Sequence, residues 1–249
     1  MIIQTQKKRV ALRFGVSANV GGAKLRIRGR SAATGCLYFD RTVEPENWEE
    51  TFDFLLPISP QKLIVDFDGH GAWPTTIETA YLPNSPEFTY QEQAIFNFLN
   101  LFLPNVCTKK PGIYNIPGTP YRFFYYEGDI IDEEDGPIIT PARADHYTND
   151  IHASKKAFRQ HSVPTNSVVI LHEYTHLASG DRDERQPDYN AVDLALSYGF
   201  PKSEVSYVFT KLIPETAEYQ AEDQRAENYY RATEMSDYIN QHPDIDVDF

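Results

Sequence analysis

The feature that most constrains this chain is a change in the spacing of its apolar residues at Pro83-Asn84-Ser85-Pro86. Before that cluster the apolar residues alternate in short runs, from Arg9 to Ser17, Gly22 to Arg30, Gly35 to Val43, Glu50 to Leu56, Gln61 to Asp68 and Thr75 to Leu82. Gly21-Gly22, Pro45-Glu46-Asn47 and Pro57 to Pro60 punctuate them. A period of two between turn residues marks half-buried strands, and five or six of them predict a small antiparallel β-sandwich or barrel, with the sandwich as the expectation. After Pro86 the period becomes helical. Tyr90 to Leu103, Thr165 to Ala178, Asp188 to Tyr198, Lys202 to Ile213 and Glu215 to Gln241 read as helices, with an aromatic strand from Tyr121 to Tyr126. The expected architecture is therefore α+β: an antiparallel β-sandwich over residues 1–84, then an α-rich domain over 85–249. A chain of 249 residues is long enough for two such cores.

Charge narrows the partners. The formal net charge is -13, which argues against a surface that binds nucleic acid, since phosphates would be repelled. The apolar runs fall short of the roughly 18–20 residues that span a bilayer, so no membrane partner is expected. Met1 to Val16 lacks a continuous apolar stretch, so no secretory signal is expected and a cytoplasmic or virion-associated setting follows. Cys36 and Cys107 are too few for a disulfide framework or a four-thiolate metal site. Eight basic residues precede the first acid, Asp40; among them Lys24, Arg26, Arg28 and Arg30 alternate and share one face of a strand. The plain reading is a solvated strand face. The sharper one is a contact surface for an acidic partner, such as a second copy of the chain or a virion assembly. The acidic run Asp132-Glu133-Glu134-Asp135 lacks the alternating ligands of a calcium loop.

The stretch that carries chemistry is Ser167-Val168-Val169-Ile170-Leu171-His172-Glu173-Tyr174-Thr175-His176-Leu177-Ala178. It contains H-E-x-x-H directly after an apolar run, with Gly180 where the helix should stop. Four residues apart on a helix, His172 and His176 project their imidazoles from one face and can share one tetrahedral Zn²⁺. Glu173 lies beside the first ligand, where it would serve as general base toward a water activated by the metal. Two histidines and a carboxylate on an otherwise apolar helix are expensive without a metal.

Zinc needs a third protein ligand. A metzincin would place a glycine and a histidine at positions that here hold Ser179 and Arg182, so that class fails. Met235-Ser236-Asp237-Tyr238 sits inside a helical pattern and is no Met-turn. Glu184-x-x-x-Asp188, followed by Ala191, is a better match. At these residues the chain resembles the gluzincin metallopeptidases, over roughly positions 145 to 200. The resemblance implies a zincin-like fold for the second domain, with His172, His176 and Glu184 as ligands, Glu173 as base, and Asp188 orienting the first histidine. The loop of seven residues between His176 and Glu184 is shorter than the clan's, and Pro187 replaces a small residue. Asp188 and Asp183, or Asp181, therefore stay open as alternative ligands; an aspartate ligand would make the site resemble the aspzincins.

Zincins hold an extended substrate on an edge strand ahead of the active-site helix. Asn149 to Ser154 alternates suitably, which nominates Ile151, His152 and Ala153. An oxyanion stabiliser is also needed. Tyr147 is the candidate, with His146, His152 and Tyr198 nearby in sequence. Taken together the residues imply a zinc-dependent metallopeptidase acting on a peptide or protein. The alternative is a structural component of a large assembly, such as a phage neck or tail, that carries a zincin-like domain.

Overall fold

The structure, a computed structural model, describes residues 1–84, 86–132, 136–138, 140–181, 183–214 and 225–249. It is a mixed α+β molecule in which nearly all strand pairing is antiparallel. The chain divides into two compact units, residues 1–84 with 245–249, and residues 85–244. The last five residues thus belong with the first unit and not, as expected, with the second. Phe249 lies under the Arg13 guanidinium, 4.0 Å from the ring centre.

The first unit has seven strands: β1 (Ile2–Gln4), β2 (Val10–Ala18), β3 (Lys24–Ser31), β4 (Leu37–Val43), β5 (Glu49–Leu56), β6 (Lys62–His70) and β7 (Ala72–Tyr81). They form one sheet in the order β1-β6-β3-β4 and another in the order β5-β2-β7. β1 was not foreseen, because three residues are too few to show alternation; it is recruited by pairing with β6. The two sheets share an apolar core. Phe14 on β2 meets Phe54 on β5 at 5.3 Å, and from the other sheet Phe67 on β6 at 5.7 Å and Phe39 on β4 at 6.3 Å. Gly29 makes this possible: a Cβ there would come within 2.4 Å of the Phe39 ring.

β3 buries alternate residues, as its sequence predicts, and turns Lys24, Arg26, Arg28 and Arg30 outward. Each outward cation meets a carboxylate of the same unit. Asp40 takes Arg26 through two bonds of 2.6 and 2.7 Å and Arg28 through one of 2.9 Å. Lys24 pairs with Glu44 at 2.5 Å and Arg30 with Asp66 at 2.6 Å. The basic excess of the linear sequence is thus met by acids that the sheet brings alongside.

The second unit holds a sheet of β8 (Gly112–Asn115), β9 (Arg122–Tyr126), β12 (Ala142–Asp145) and β13 (Asp150–Ser154), ordered β12-β13-β9-β8. β10 (Ile130–Asp132) pairs antiparallel with β11 (Gly136–Ile138); Glu133, Glu134 and Asp135 of the acidic run lie outside the described residues. The helices are α1 (Tyr90–Phe102), α2 (Lys155–Phe158), α3 (Val163–Ser179), α4 (Arg185–Tyr198), α5 (Lys202–Tyr207) and α6 (Arg225–Gln241). The helix expected from Glu215 starts, among the described residues, at Arg225, and 215–224 lie outside them.

The pairing of β13 corrects the expected edge strand. It is antiparallel to β12 on one side and parallel to β9 on the other, so Ile151, His152 and Ala153 sit inside the sheet. Alternation shows that a strand is half buried and says nothing of its neighbours. The edge is β12.

Candidate metal centre

The centre is built on α3. Ser162 caps its first turn by accepting the Thr165 N–H at 3.1 Å, and Pro164 sits where a missing N–H costs nothing. Gly180, at φ +68°, closes the helix and donates its N–H to the His176 carbonyl at 3.0 Å. Every residue from Val163 to Leu177 is buried, so α3 is the core helix of its unit and not an amphipathic surface one. Its polar side chains must then be matched inside the protein. Asn166 donates to the Phe158 carbonyl at 2.8 Å, and the Thr175 hydroxyl donates to the Pro187 carbonyl at 2.9 Å. The second of these ties α3 to α4.

His172 and His176 face each other one turn apart, with their Nε2 atoms 3.2 Å from each other. Glu184, at the N-terminal end of α4, brings Oε2 to 3.3 Å from each of them. Tetrahedral bonds of about 2.0–2.1 Å would hold neighbouring donor atoms roughly 3.3 Å apart, so the three atoms form one face of such a tetrahedron. Among the described residues this is the one group of at least three His, Cys, Asp or Glu side chains that can hold a metal ion.

The outer contacts of the two imidazoles decide where their lone pairs point. His172 Nδ1 lies 3.2 Å from Asp188 Oδ1, and His176 Nδ1 lies 3.1 Å from the Asp181 carbonyl. Both partners are acceptors, so a neutral ring with its proton on Nδ1 would aim the Nε2 lone pair inward, although the Asp188 contact is a close approach of charges and not an aligned hydrogen bond. Two imidazole nitrogens and a carboxylate oxygen converge on one point and could hold a metal ion there. Even a proton is drawn to it: burial disfavours charge on His172, yet Asp188 and Glu184 outweigh burial and push its pKa up to about 10. Burial opposes charge on Glu184 too, but hydrogen bonds to His172 and His176 hold its carboxyl far below the usual carboxylate range.

Glu173 is set apart from the three donors. It is 9% exposed, and its Oε2 accepts the Ala144 N–H of the edge strand β12 at 2.7 Å. Burial raises its pKa, against the pull of both histidines. Phe209, in the π-helical turn Val208–Leu212, packs edge-on against the His172 ring at 5.8 Å.

Of the other sequence candidates, Asp188 is fully buried and touches His172, not the point where the donors converge. Asp183 caps the Arg185 N–H at 2.9 Å, and Asp181 reaches the centre only through its backbone carbonyl. Tyr147 is 87% exposed in the turn after β12; its neighbour His146 lies edge-on to His176, with ring centres 6.0 Å apart. Tyr198 stacks on Phe96 at 3.9 Å and bonds Asn100, and His152 stacks on Phe124 at 4.9 Å.

Sequence reasoning missed Arg231 on α6. Its Nη2 donates to Glu184 Oε2 at 2.8 Å and to Asp188 Oδ1 at 2.7 Å, and its Nε donates to Asp188 Oδ2. No spacing rule could have found it, because it lies 47 residues beyond Glu184.

Comparison with family models, curated proteins and solved structures found no match to the chain. The functional reading therefore rests on the residues and their geometry. Among the described residues no helix is long and apolar enough to cross a membrane.

Proposed function

We propose that this protein is a zinc-dependent metallopeptidase of gluzincin type, with a zincin-like second unit and a β-sandwich accessory unit in front. The observation that carries the reading is the convergence of His172 Nε2, His176 Nε2 and Glu184 Oε2 at 3.2–3.3 Å, with the Glu173 carboxylate beside them. Two imidazoles and one carboxylate are a donor set suited to zinc, and three protein ligands leave a fourth position open. Zinc, when bound, would supply the Lewis acidity that lowers the pKa of a water and polarises a carbonyl.

The chain's own residues do the rest. Glu173, whose carboxyl pKa is raised by burial, would take the proton of the attacking water and return it to the leaving amine. The bond from Ala144 holds its carboxylate against β12. A substrate strand adding to the outer edge of β12 would run past that carboxylate by main-chain pairing and compete with it for the Ala144 N–H. This moves the substrate edge from Ile151–Ala153 to Ala142–Asp145. His146 replaces Tyr147 as the candidate to stabilise charge on the scissile carbonyl oxygen, since its ring faces His176.

The test is metal analysis by mass spectrometry together with peptide cleavage by the wild type and by Glu173→Gln. The reading expects about one zinc per chain in both proteins and a cleavage rate reduced by roughly 10²–10⁴ in the variant. Full activity in Glu173→Gln would overturn it. A zinc-bearing wild type that cleaves no peptide would leave the assembly role as the better account.

A further inference from the structure

α6 is an unusual helix to find beside a buried centre. Among the residues whose side chains are described, Met235 and Ile239 are the buried apolar ones, while Tyr229 and Tyr230 are 70% and 71% exposed. Its attachment to α4 combines the Tyr189–Tyr238 ring contact at 4.5 Å with a ladder of polar bonds. Arg231 takes Asp188 and Glu184; Glu234 accepts from Arg185 at 2.6 Å and from the Tyr189 hydroxyl at 2.5 Å; Tyr238 donates to Asp193 at 2.8 Å. The outer rungs are exposed or half-buried and each contributes little. The innermost rung differs, because it ends on the groups that form the centre.

Arg231 Nη2 is shared between two oxygens with distinct tasks. Glu184 Oε2 is the donor atom 3.3 Å from both imidazoles, and Asp188 Oδ1 is the carboxylate oxygen 3.2 Å from His172 Nδ1. One guanidinium nitrogen thus fixes the third ligand relative to the first histidine. Nε holds the second Asp188 oxygen, so the plane of the fork sets the direction from Asp188 to Glu184; an ammonium has no such fixed plane.

We propose that Arg231 is a positioning residue for the ion site, and that ion binding and the docking of α6 on α4 are thermodynamically linked through it. The proposal rests on the metal reading above and adds a responsive element to it. With α6 docked, Glu184 is oriented before the ion arrives, so less ordering accompanies binding. With the ion bound, Glu184 and Asp188 are fixed, so Arg231 meets a prepared receptor. Linkage makes the two effects equal: if undocking α6 weakens ion binding by some factor, the ion strengthens docking by the same factor.

The experiment uses the full chain with Zn²⁺ alone. Zinc affinity is measured by competition with a chromophoric chelator, and hydrogen exchange is followed over 229–241 with and without the ion, with α1 as internal reference. Arg231→Met is expected to weaken zinc binding about 10–100-fold, the range for partners behind a metal ligand. Arg231→Lys should restore only a small part, because charge without the fork is insufficient. In the wild type, removing the ion should raise exchange in 229–241 and leave α1 unchanged. Glu234→Gln loosens α6 one turn away without touching any donor, so it keeps the proposal testable should Arg231→Met fail to fold. It should weaken zinc binding in proportion to the exchange it adds. Unaltered zinc affinity in these variants, full restoration by lysine, or identical α6 exchange with and without the ion would each overturn the linkage while leaving the metal reading intact. A wild type that takes up no zinc would overturn both.

Discussion

The two units handle charge in opposite ways. On β3 of the first unit, four cations stand in solvent, each beside a carboxylate, and none is needed to hold the core, which is Phe14, Phe39, Phe54 and their neighbours. Around α3 the second unit does what a core ordinarily avoids. It encloses two imidazoles, the Glu173 carboxylate and Asp188, and aims three donor atoms at one point. Exposed ion pairs contribute little to stability, whereas buried ones carry a desolvation cost that only close partners offset. The lesson is where to look for chemistry: in a chain with many charges, the informative ones are those the fold has taken out of water.

The contrast can be broken at its strongest point first. His172→Ala/His176→Ala should lower the metal content from about one ion per chain to none while circular dichroism stays native-like. Retained metal in that variant would move the site elsewhere. Next, Phe14→Ala should destabilise the first unit by about 3–5 kcal/mol, read by denaturant unfolding, with zinc uptake unchanged. Loss of metal in this variant would show that the contrast between units is not one of independent cores. Asp188→Asn should weaken zinc binding by about 10–100-fold, because the amide no longer places a full charge beside His172 Nδ1. An unchanged affinity would make Asp188 an anchor for Arg231 alone.

The smallest effect is expected on the β3 stripe. The Asp40 carboxyl is held below the usual range, first by its hydrogen bonds with Arg26, with burial opposing and Arg28 assisting. Its stabilising contribution is therefore present above the ordinary carboxyl pKa of about 3.9 and is lost as pH falls through the lowered native value. In Arg26→Ala the Asp40 midpoint, followed by carboxyl NMR, should rise toward the ordinary range with little change in thermal stability. A large drop in stability would mean that the surface pairs matter more than exposed pairs do.

Much of the fold was legible because burial leaves a period in the sequence. Alternation marked β2 to β7 within a few residues, and the cluster from Pro83 to Pro86 stands where the two units part. The short strand β1 and the return of residues 245–249 to the first unit left no such period. In the centre, His172, Glu173 and His176 were legible because one helical turn is a local quantity: four residues always bring two side chains to one face. The third donor was open among Glu184, Asp183, Asp181 and Asp188, since a loop can present any of them. Of these, it is Glu184 whose Oε2 the start of α4 brings to 3.3 Å from both nitrogens, which makes it the carboxylate of the group that could hold a metal.

What the sequence by itself determined is thus everything that depends on spacing along one element: the strand-rich front, the buried helix α3, and the pair of imidazoles with a carboxylate beside them. Only the tertiary structure decided the rest. It placed β13 inside the sheet and β12 at its edge, put Ala144 against Glu173, and brought Arg231 to Glu184 and Asp188. Each of these depends on which distant segments become neighbours, and that is set by the burial of whole faces, a quantity no local pattern carries.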